Sequence, residues 1–415
     1  MTSEIKQRIE QIRRGEVPER YVKTVLGLAP ANWKRYTFGD IYTERKEPGD
    51  ENLPLLMVSI HSGVSDGEVD AAELPKQVKR IEDKSQYKKA VSGDLVFNMM
   101  RAWQGAIGTV RTTGMVSPAY IVAEPNDKAY PLFMDYYSRT PQMINQLDRQ
   151  SYGVTDFRKR LYWDSFAPIG CILPPIEEQQ KIATILTTQD RVIELKEKRL
   201  AEKQRQKKYL MQQLLTGKKR LPGFNGAWKT DCLDKLFFER KETNCENIEM
   251  LAITGTQGII PRKELDLKDN SSEDKSKYLR VCVGDIGYNT MRMWQGVSAY
   301  SNYEGIVSPA YTILKPSSSI NAKYFAYLFK MSEIVFLFYR FSQGLVDDTR
   351  NLKYENFKKI KVYYPPDIKE QTAIAEVLSA ADREIELLQQ DIEQEKQKKK
   401  ALMQLLLTGI VRVKT

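Results

Sequence analysis

Two short segments of this chain carry residue types suited to reading the edges of nucleic-acid bases. Arg101-Ala102-Trp103-Gln104-Gly105 and Arg292-Met293-Trp294-Gln295-Gly296 each join a guanidinium and a carboxamide to an aromatic ring and a glycine. Arg pairs with guanine and Gln with adenine through paired hydrogen bonds in the major groove, and Gly lets a backbone come close to a ligand. Each segment is followed by Val-Ser-Pro-Ala-Tyr, at Val116 to Tyr120 and Val307 to Tyr311. There Ser117, Tyr120, Ser308 and Tyr311 are candidate polar contacts or buried partners, and the proline sets a rigid approach to a strand. Further on, Gly153 to Lys159 brings Thr155, Arg158 and Lys159 to an expected helix start, where free N–H groups and cations suit a phosphate. Thr349 and Arg350 hold the matching places in the second copy. For Trp103 and Trp294 a core role stays as open as a contact role; for Arg and Gln contact is favoured.

Reaction chemistry is harder to find. The one histidine, His61, has Thr256 as its counterpart, so it is no base common to both copies. Leu173-Pro174-Pro175-Ile176 and Tyr364-Pro365-Pro366-Asp367 lack the preceding polar and following aromatic residues with which amino-methyltransferases hold a target amine. No glycine-rich cofactor loop or phosphate loop precedes a helix, and the residues after Pro366-Asp367 carry a coiled-coil pattern rather than that of a nuclease strand. Cys171, Cys232, Cys245 and Cys282 show no metal or redox spacing, which points to free thiols in a reducing cytoplasm. Catalysis by this chain alone is therefore not expected, nor is a bound metal or cofactor. The balance of 64 Lys and Arg against 54 Asp and Glu gives a net charge of +10, which favours a polyanionic partner. No apolar run reaches the ~18 residues of a membrane span, and the N-terminus lacks the apolar region of a signal peptide.

The two segments recur because the domain around them recurs. Trp103 and Trp294 lie 191 positions apart, as do Tyr120 and Tyr311. Trp33 and Glu44-Arg45-Lys46-Glu47 match Trp228 and Glu239-Arg240-Lys241-Glu242 at an offset of 195. After each double proline, Gly and Pro vanish until Gly217 and Gly409, the punctuation of a long helix. Apolar residues at Ile182, Leu186, Ile193, Leu200, Leu210 and Leu214 repeat 192 further on at Ile374, Leu378, Ile385, Ile392, Leu402 and Leu406. Those steps are sums of three and four, the seam of a coiled coil, and two equal seams in one chain are expected to pack together. Each helix would be roughly 60 Å long. The expected fold is α+β, with two duplicated mixed α/β domains separated by two long helices in an antiparallel, pseudo-twofold coiled coil. Its segments are 1–30 (N-terminal helix and arm), 31–173 (first domain), 174–217 (central helix), 218–227 (linker), 228–364 (second domain) and 365–415 (C-terminal helix). Met211, Leu215, Met403 and Leu407 fall off the heptad line. As exposed apolar residues they would form a partner surface; the alternative is packing of the helix ends on the globular domains.

Two domains alternating with two helices that close in Leu-Leu-Thr-Gly, at Leu214 to Gly217 and Leu406 to Gly409, resemble the specificity subunit of type I restriction-modification enzymes. The likeness covers nearly the whole chain. It rests also on Pro174-Pro175 with Glu178-Gln179, Pro365-Pro366 with Glu370-Gln371, and the Met-Arg-x-Trp-Gln-Gly and Val-Ser-Pro-Ala-Tyr motifs. The resemblance implies two target recognition domains, each reading one half of a split double-stranded DNA site. It implies a coiled coil that spaces the halves and docks two modification (methyltransferase) subunits. S-adenosylmethionine and adenine methylation would belong to those partners, and ATP, Mg and cleavage to separate restriction (motor) subunits. It further implies a circular arrangement, with 16–31 beside 409–415. A specificity subunit whose partner both cuts and methylates fits the same motifs. A coiled-coil adaptor for proteins alone explains the helices but not the paired Arg and Gln. The helix expected at Met1 to Arg14 has no counterpart before Trp228.

Overall fold

The computed structural model describes residues 3–50, 52–60, 63–66, 86–155, 158–245, 248–255, 258–265 and 274–413. His61 and Thr256 lie outside the described residues, as do Asp156 and Phe157. The chain forms two compact units: Met1–Leu195 with Ile392–Thr415, and Lys196–Asp391. The two long helices are Ile176–Leu214 and Ile368–Leu406, 39 residues each. No helix among the described residues is long and apolar enough to cross a membrane.

The helix openings show why Glu-Gln follows the double proline. Gln179 is buried, donates to the carbonyls of Pro174 and Lys128 at 2.9 Å, and accepts from the Tyr130 amide at 2.8 Å. Gln371 repeats this on Pro365 and Asn321 at 2.8 and 2.7 Å. One carboxamide thus ties helix start, preceding strand and globular domain, satisfying backbone groups that burial would otherwise orphan. Its neighbour Glu178 is fully buried and takes a bidentate Arg412 at 2.6 and 2.7 Å, plus the Trp33 indole N–H at 3.2 Å. In the second unit Glu370 takes Arg220 at 2.5 and 2.7 Å and Trp228 at 3.4 Å.

The helices run antiparallel within each unit. In the second, Lys196 pairs with Asp391 at 2.8 Å, Lys203 with Glu384 at 2.9 Å, and Lys207 with Asp382: one partner's number rises as the other's falls. In the first, Gln189 donates to Glu395 at 2.7 Å and Lys399 pairs with Asp190 at 2.5 Å. Lys203 and Lys207 are half-buried members of this pairing, whereas Arg205 and Lys208 are exposed. A tyrosine joins each globular part to the pair. The Tyr136 hydroxyl donates to Asp190 and the Tyr327 hydroxyl to Asp382, both at 2.6 Å, with Lys399 and Lys207 over the respective rings.

Each unit holds a four-stranded antiparallel sheet in the same order. In the first it is Tyr42–Glu44, Tyr120–Pro125, Leu95–Asn98 and Ile107–Thr109; in the second, Phe237–Glu239, Tyr311–Pro316, Ile286–Asn289 and Ser298–Tyr300. Alternate residues feed two cores, as the strand period of two requires. Leu95, Phe97, Ile121 and Ala123 face the helices, while Val96 and Val122 face a smaller layer with Leu56 and Val58. Arg45 and Arg240, in the repeated Glu-Arg-Lys-Glu, reach the buried carboxylates of Asp94 and Asp285 at 2.8 and 2.7 Å. Burial pushes the Asp94 carboxyl above its ordinary value against the pull of Arg45.

The circular arrangement is present in the first unit. The Tyr21 hydroxyl donates to the Gly409 carbonyl at 2.6 Å, and Arg8, on the N-terminal helix Ser3–Arg13, donates to the Ile410 carbonyl at 3.1 Å. Arg412 thereby does for Trp33 what Arg220 does for Trp228.

One expectation is corrected. Leu215 and Leu407 are not exposed: they are 2% and 3% accessible and sit in the main cores of their units. Met211 and Met403 are partly buried and pack on the same cores. The helix ends meet a globular domain as well as the other helix, so apolar positions off the heptad line fill a second interface.

Candidate functional site

The strand Leu95–Asn98 ends where the Arg-x-Trp-Gln-Gly segment begins, and its last residue builds the turn. Asn98 accepts the Met100 amide on its side chain at 2.9 Å, and Arg101 N–H donates to the Asn98 carbonyl at 3.0 Å. One turn of 3-10 helix, Ala102–Gln104, comes next and stops at Gly105, whose φ of 98° favours glycine. The second copy repeats the arrangement: Asn289 accepts Met291 at 3.0 Å, Met293–Gln295 forms the turn, and Gly296 has φ 80°. A Cβ on Gly105 would press on Ile144 and one on Gly296 on Val335, so the helices Pro141–Arg149 and Ser332–Phe341 seat directly behind the turns.

This geometry sorts the residues of the motif. Ala102 and Met293 are buried, Trp103 and Trp294 half-buried, and Arg101, Gln104, Arg292 and Gln295 stand at the surface. Each indole N–H donates back to its own turn, Trp103 to Met100 at 3.0 Å and Trp294 to Met291 at 2.9 Å. Among the described residues no hydrogen bond or ion pair holds the side chains of Arg101, Gln104, Arg292 or Gln295. The tryptophans brace the turn; the Arg and Gln are presented to solvent.

Each ring also carries a cation from a segment much later in sequence. Lys159 Nζ lies 4.9 Å from the Trp103 ring centroid and pairs with Asp148 at 2.7 Å. At the equivalent place the Arg350 guanidinium lies 5.9 Å from Trp294 and 4.1 Å from Tyr339, with Asp347 at 3.4 Å. Thr155 and Arg158 are exposed next to Lys159, and Thr349 is exposed next to Arg350. The helical turn expected here is a single turn of 3-10 helix, Asp347–Thr349 in the second copy, with Arg158 in the same conformation in the first. Tyr152 and Arg160 exchange backbone hydrogen bonds at 2.9 and 2.7 Å, Gln343 and Asn351 do so at 2.7 Å, and each pair closes a loop. Glycine, threonine and aspartate suit such a loop as well as a helix cap.

Ser117 and Ser308 take a local role, their hydroxyls accepting Ala119 and Ala310 amides at 3.4 and 3.3 Å. Tyr120 pairs across strands with Asn98, and Tyr311 with Asn289. Burial raises the Tyr120 hydroxyl above its ordinary value, opposed by Asn98 and Arg101. In the second unit Asn289, Ser308 and Tyr311 line a cleft of about 300 Å³ with Arg262 and Tyr278. Sequence reasoning missed Arg262, whose counterpart in the first copy is a glycine, Gly67. No group of three His, Cys, Asp or Glu able to hold a metal occurs among the described residues. Cys171 is buried, and burial pushes its thiol up to about 12.

The family model for the type I restriction modification DNA specificity domain matches residues 71–205 and 234–397. The MjaVIII type I restriction enzyme specificity subunit of Methanocaldococcus jannaschii is 24% identical, over 95% of this chain and 97% of its own. A second protein of that organism, described for the MjaX enzyme, is also 24% identical, over 96% and 98%. The type I restriction-modification S subunit of M. genitalium shares the fold with a TM-score of 0.55 at 11% identity, over 92% of this chain and 97% of that one. A chain from a structure of type I restriction-modification complex assembly gives 0.53 at 17%, over 92% and 99%. With its duplicated sheet, paired long helices and both halves matched, the chain belongs to the type I restriction-modification specificity subunit family.

Proposed function

We propose that this chain is the DNA-recognition subunit of a type I restriction-modification complex, reading a split double-stranded site with one half per unit. The observation that carries this is the pair of exposed, unpartnered Arg and Gln side chains set at matched places on two rigid turns. In water such a turn gains nothing from them; against a base edge each offers two parallel hydrogen bonds. The half-buried Trp and its stacked cation hold the turn, and Thr155, Arg158, Lys159, Thr349 and Arg350 flank it where a backbone phosphate would pass. Ser117, Tyr120, Ser308 and Tyr311 support the turn from behind and, in the second unit, wall its cleft. The domains proposed for reading are 31–173 and 228–364. The chain carries no reaction itself. Two modification subunits dock on the helices and bring S-adenosylmethionine, restriction subunits join through the complex with ATP and Mg, and the assembly works in the cytoplasm. Docking does not use Leu215 or Leu407, which are core; Met211 and Met403 keep a partial surface for it.

The test is co-expression with the neighbouring modification subunit in a methylation-free host, followed by single-molecule sequencing. A two-part adenine-methylation motif is expected, with none from either chain alone. Methyl transfer by this chain alone, or an unsplit motif, overturns the reading.

A further inference from the structure

In the second unit, the loop closed by Gln343 and Asn351 carries at its tip the most exposed large apolar side chain among the described residues. Leu345 is 100% accessible and Val346 58%. The counterpart loop in the first unit carries Val154, 93% accessible. An exposed leucine on a floppy tail would mean little. Here the loop is built. Both its ends exchange backbone hydrogen bonds at 2.7 Å. At Gly344, φ is 125° and a Cβ would lie 2.6 Å from the Thr349 carbonyl, so a side chain is excluded. The Thr349 hydroxyl donates to the Val346 carbonyl at 3.0 Å, and Arg350, at the loop's end, is stacked on Tyr339 and Trp294. The loop is thus fastened to the turn bearing Arg292 and Gln295 and lifts Leu345 clear of it.

We propose that Leu345 is an apolar wedge that enters the DNA base stack beside the bases read by the Arg292 turn, with Val154 in the matching, shorter role. This rests on the DNA-recognition reading. The loop offers no cation of its own between Gly344 and Thr349, only Leu, Val and two Asp. The tip is therefore unsuited to a phosphate, which is left to Thr349 and Arg350 at the loop's end, and what stands furthest out is the hydrocarbon of Leu345. Inserted side chains of this kind unstack a base step and kink the duplex, and burying a leucine offsets part of that cost. The closed loop fixes the backbone that carries the side chain, so less conformational entropy is lost on binding than from an open segment.

The experiment uses the complex of this chain with its modification subunit and a duplex carrying its mapped methylation motif, with 2-aminopurine at successive positions. The half-site of the second unit is the one that Arg292→Ala degrades. Wild type should raise emission at one base step beside that half. Leu345→Ser should abolish the rise and weaken binding about tenfold, as loss of a buried leucine side chain implies, and Leu345→Met should restore both. Because the side chain is fully exposed, the substitution leaves the fold intact. If the wild-type complex binds and methylates the duplex but every position stays quenched and Leu345→Ser binds like wild type, the wedge is wrong while DNA recognition stands. If Leu345→Ser instead releases the modification subunit, the loop is a protein contact and the wedge is wrong. If the wild-type complex does not bind its motif, the recognition reading falls and the wedge with it.

Discussion

The two recognition turns are the same object seen from behind and different objects seen from the front. Behind each stand a glycine in the left-handed region, a helix residue seated against it (Ile144 or Val335), an indole N–H closed on the turn, and a buried Arg–Asp pair under the sheet. In front, the first unit sets Lys159 against Asp148, with the polar face of Pro141–Arg149 beside it. The second sets Arg350 against Tyr339 and Trp294, with Phe336 and Tyr339 exposed on Ser332–Phe341 at 56% and 41%. Front positions vary because substitution of an exposed side chain costs folding little, typically within about 0.5 kcal/mol. Back positions are held because they cannot vary so cheaply. A protein that must keep its partners and change its target would divide its sequence this way.

The largest expected effect tests the shared back. Asp94→Ala and Asp285→Ala each remove the buried carboxylate that holds Arg45 or Arg240, leaving these to the half-exposed Glu47 and Glu242, and each should cost about 1–3 kcal/mol. The loss should fall on one unit at a time, read by hydrogen exchange resolved along the chain. Unequal costs, or protection lost in both units from one substitution, would show that the two scaffolds are not equivalent.

Next come the turns. Arg101→Ala and Arg292→Ala should each cost DNA binding roughly 1–3 kcal/mol and relax preference in one half of the motif only. Titration against duplexes altered in one half at a time measures this. Two variants that relax the same half would break the assignment of one turn to one half-site.

The fronts should respond differently to like changes. Arg350→Lys removes a planar group stacked on two rings and should weaken the second half-site by about 1 kcal/mol. Lys159→Arg keeps both the charge and the contact with Trp103 and should leave the first half-site intact. Equal losses from both substitutions would mean that stacking in the second unit contributes nothing to recognition.

Much of the back was legible in the sequence. The recurring motifs, at offsets of 191 to 195, announced two equal domains, and the heptad steps with Pro and Gly punctuation announced two helices that pair. Exposure of Arg and Gln followed from residue type, while for Trp103 and Trp294 residue type left core and contact equally open. What escaped was contact between distant positions. Nothing local in Lys159 or Arg350 says that it lies over a tryptophan more than fifty residues earlier, and nothing in Glu-Arg-Lys-Glu says that its Arg finds Asp94. The misreading of Leu215 and Leu407 has the same origin: a heptad analysis sees one neighbouring helix and is blind to a globular core on the other side. The stretch after Gly153 reads as a helical turn, and Arg158 does stand in one; what local sequence cannot show is that Tyr152 and Arg160 pair to close a loop around it.

The smallest effect tests one of the charges that differ between the two fronts. Asp148 holds Lys159 at 2.7 Å, and its equivalent in the second unit is the uncharged Tyr339. Both members are partly exposed, with Lys159 and Asp148 side chains 23% and 43% accessible, so the pair is worth roughly 0–1 kcal/mol to folding. Asp148→Asn should therefore leave stability nearly unchanged. It removes a carboxylate that repels the phosphate backbone and lets Lys159 turn from Asp148 to a phosphate without leaving the Trp103 ring. Affinity should rise by up to about 1 kcal/mol at low salt, and the slope of log affinity on log salt should steepen by about one phosphate contact. The gain should vanish in the double variant with Lys159→Ala. If Asp148→Asn binds no tighter and its salt slope does not change, Lys159 does not reach the backbone and Asp148 plays no part in the difference between the two fronts.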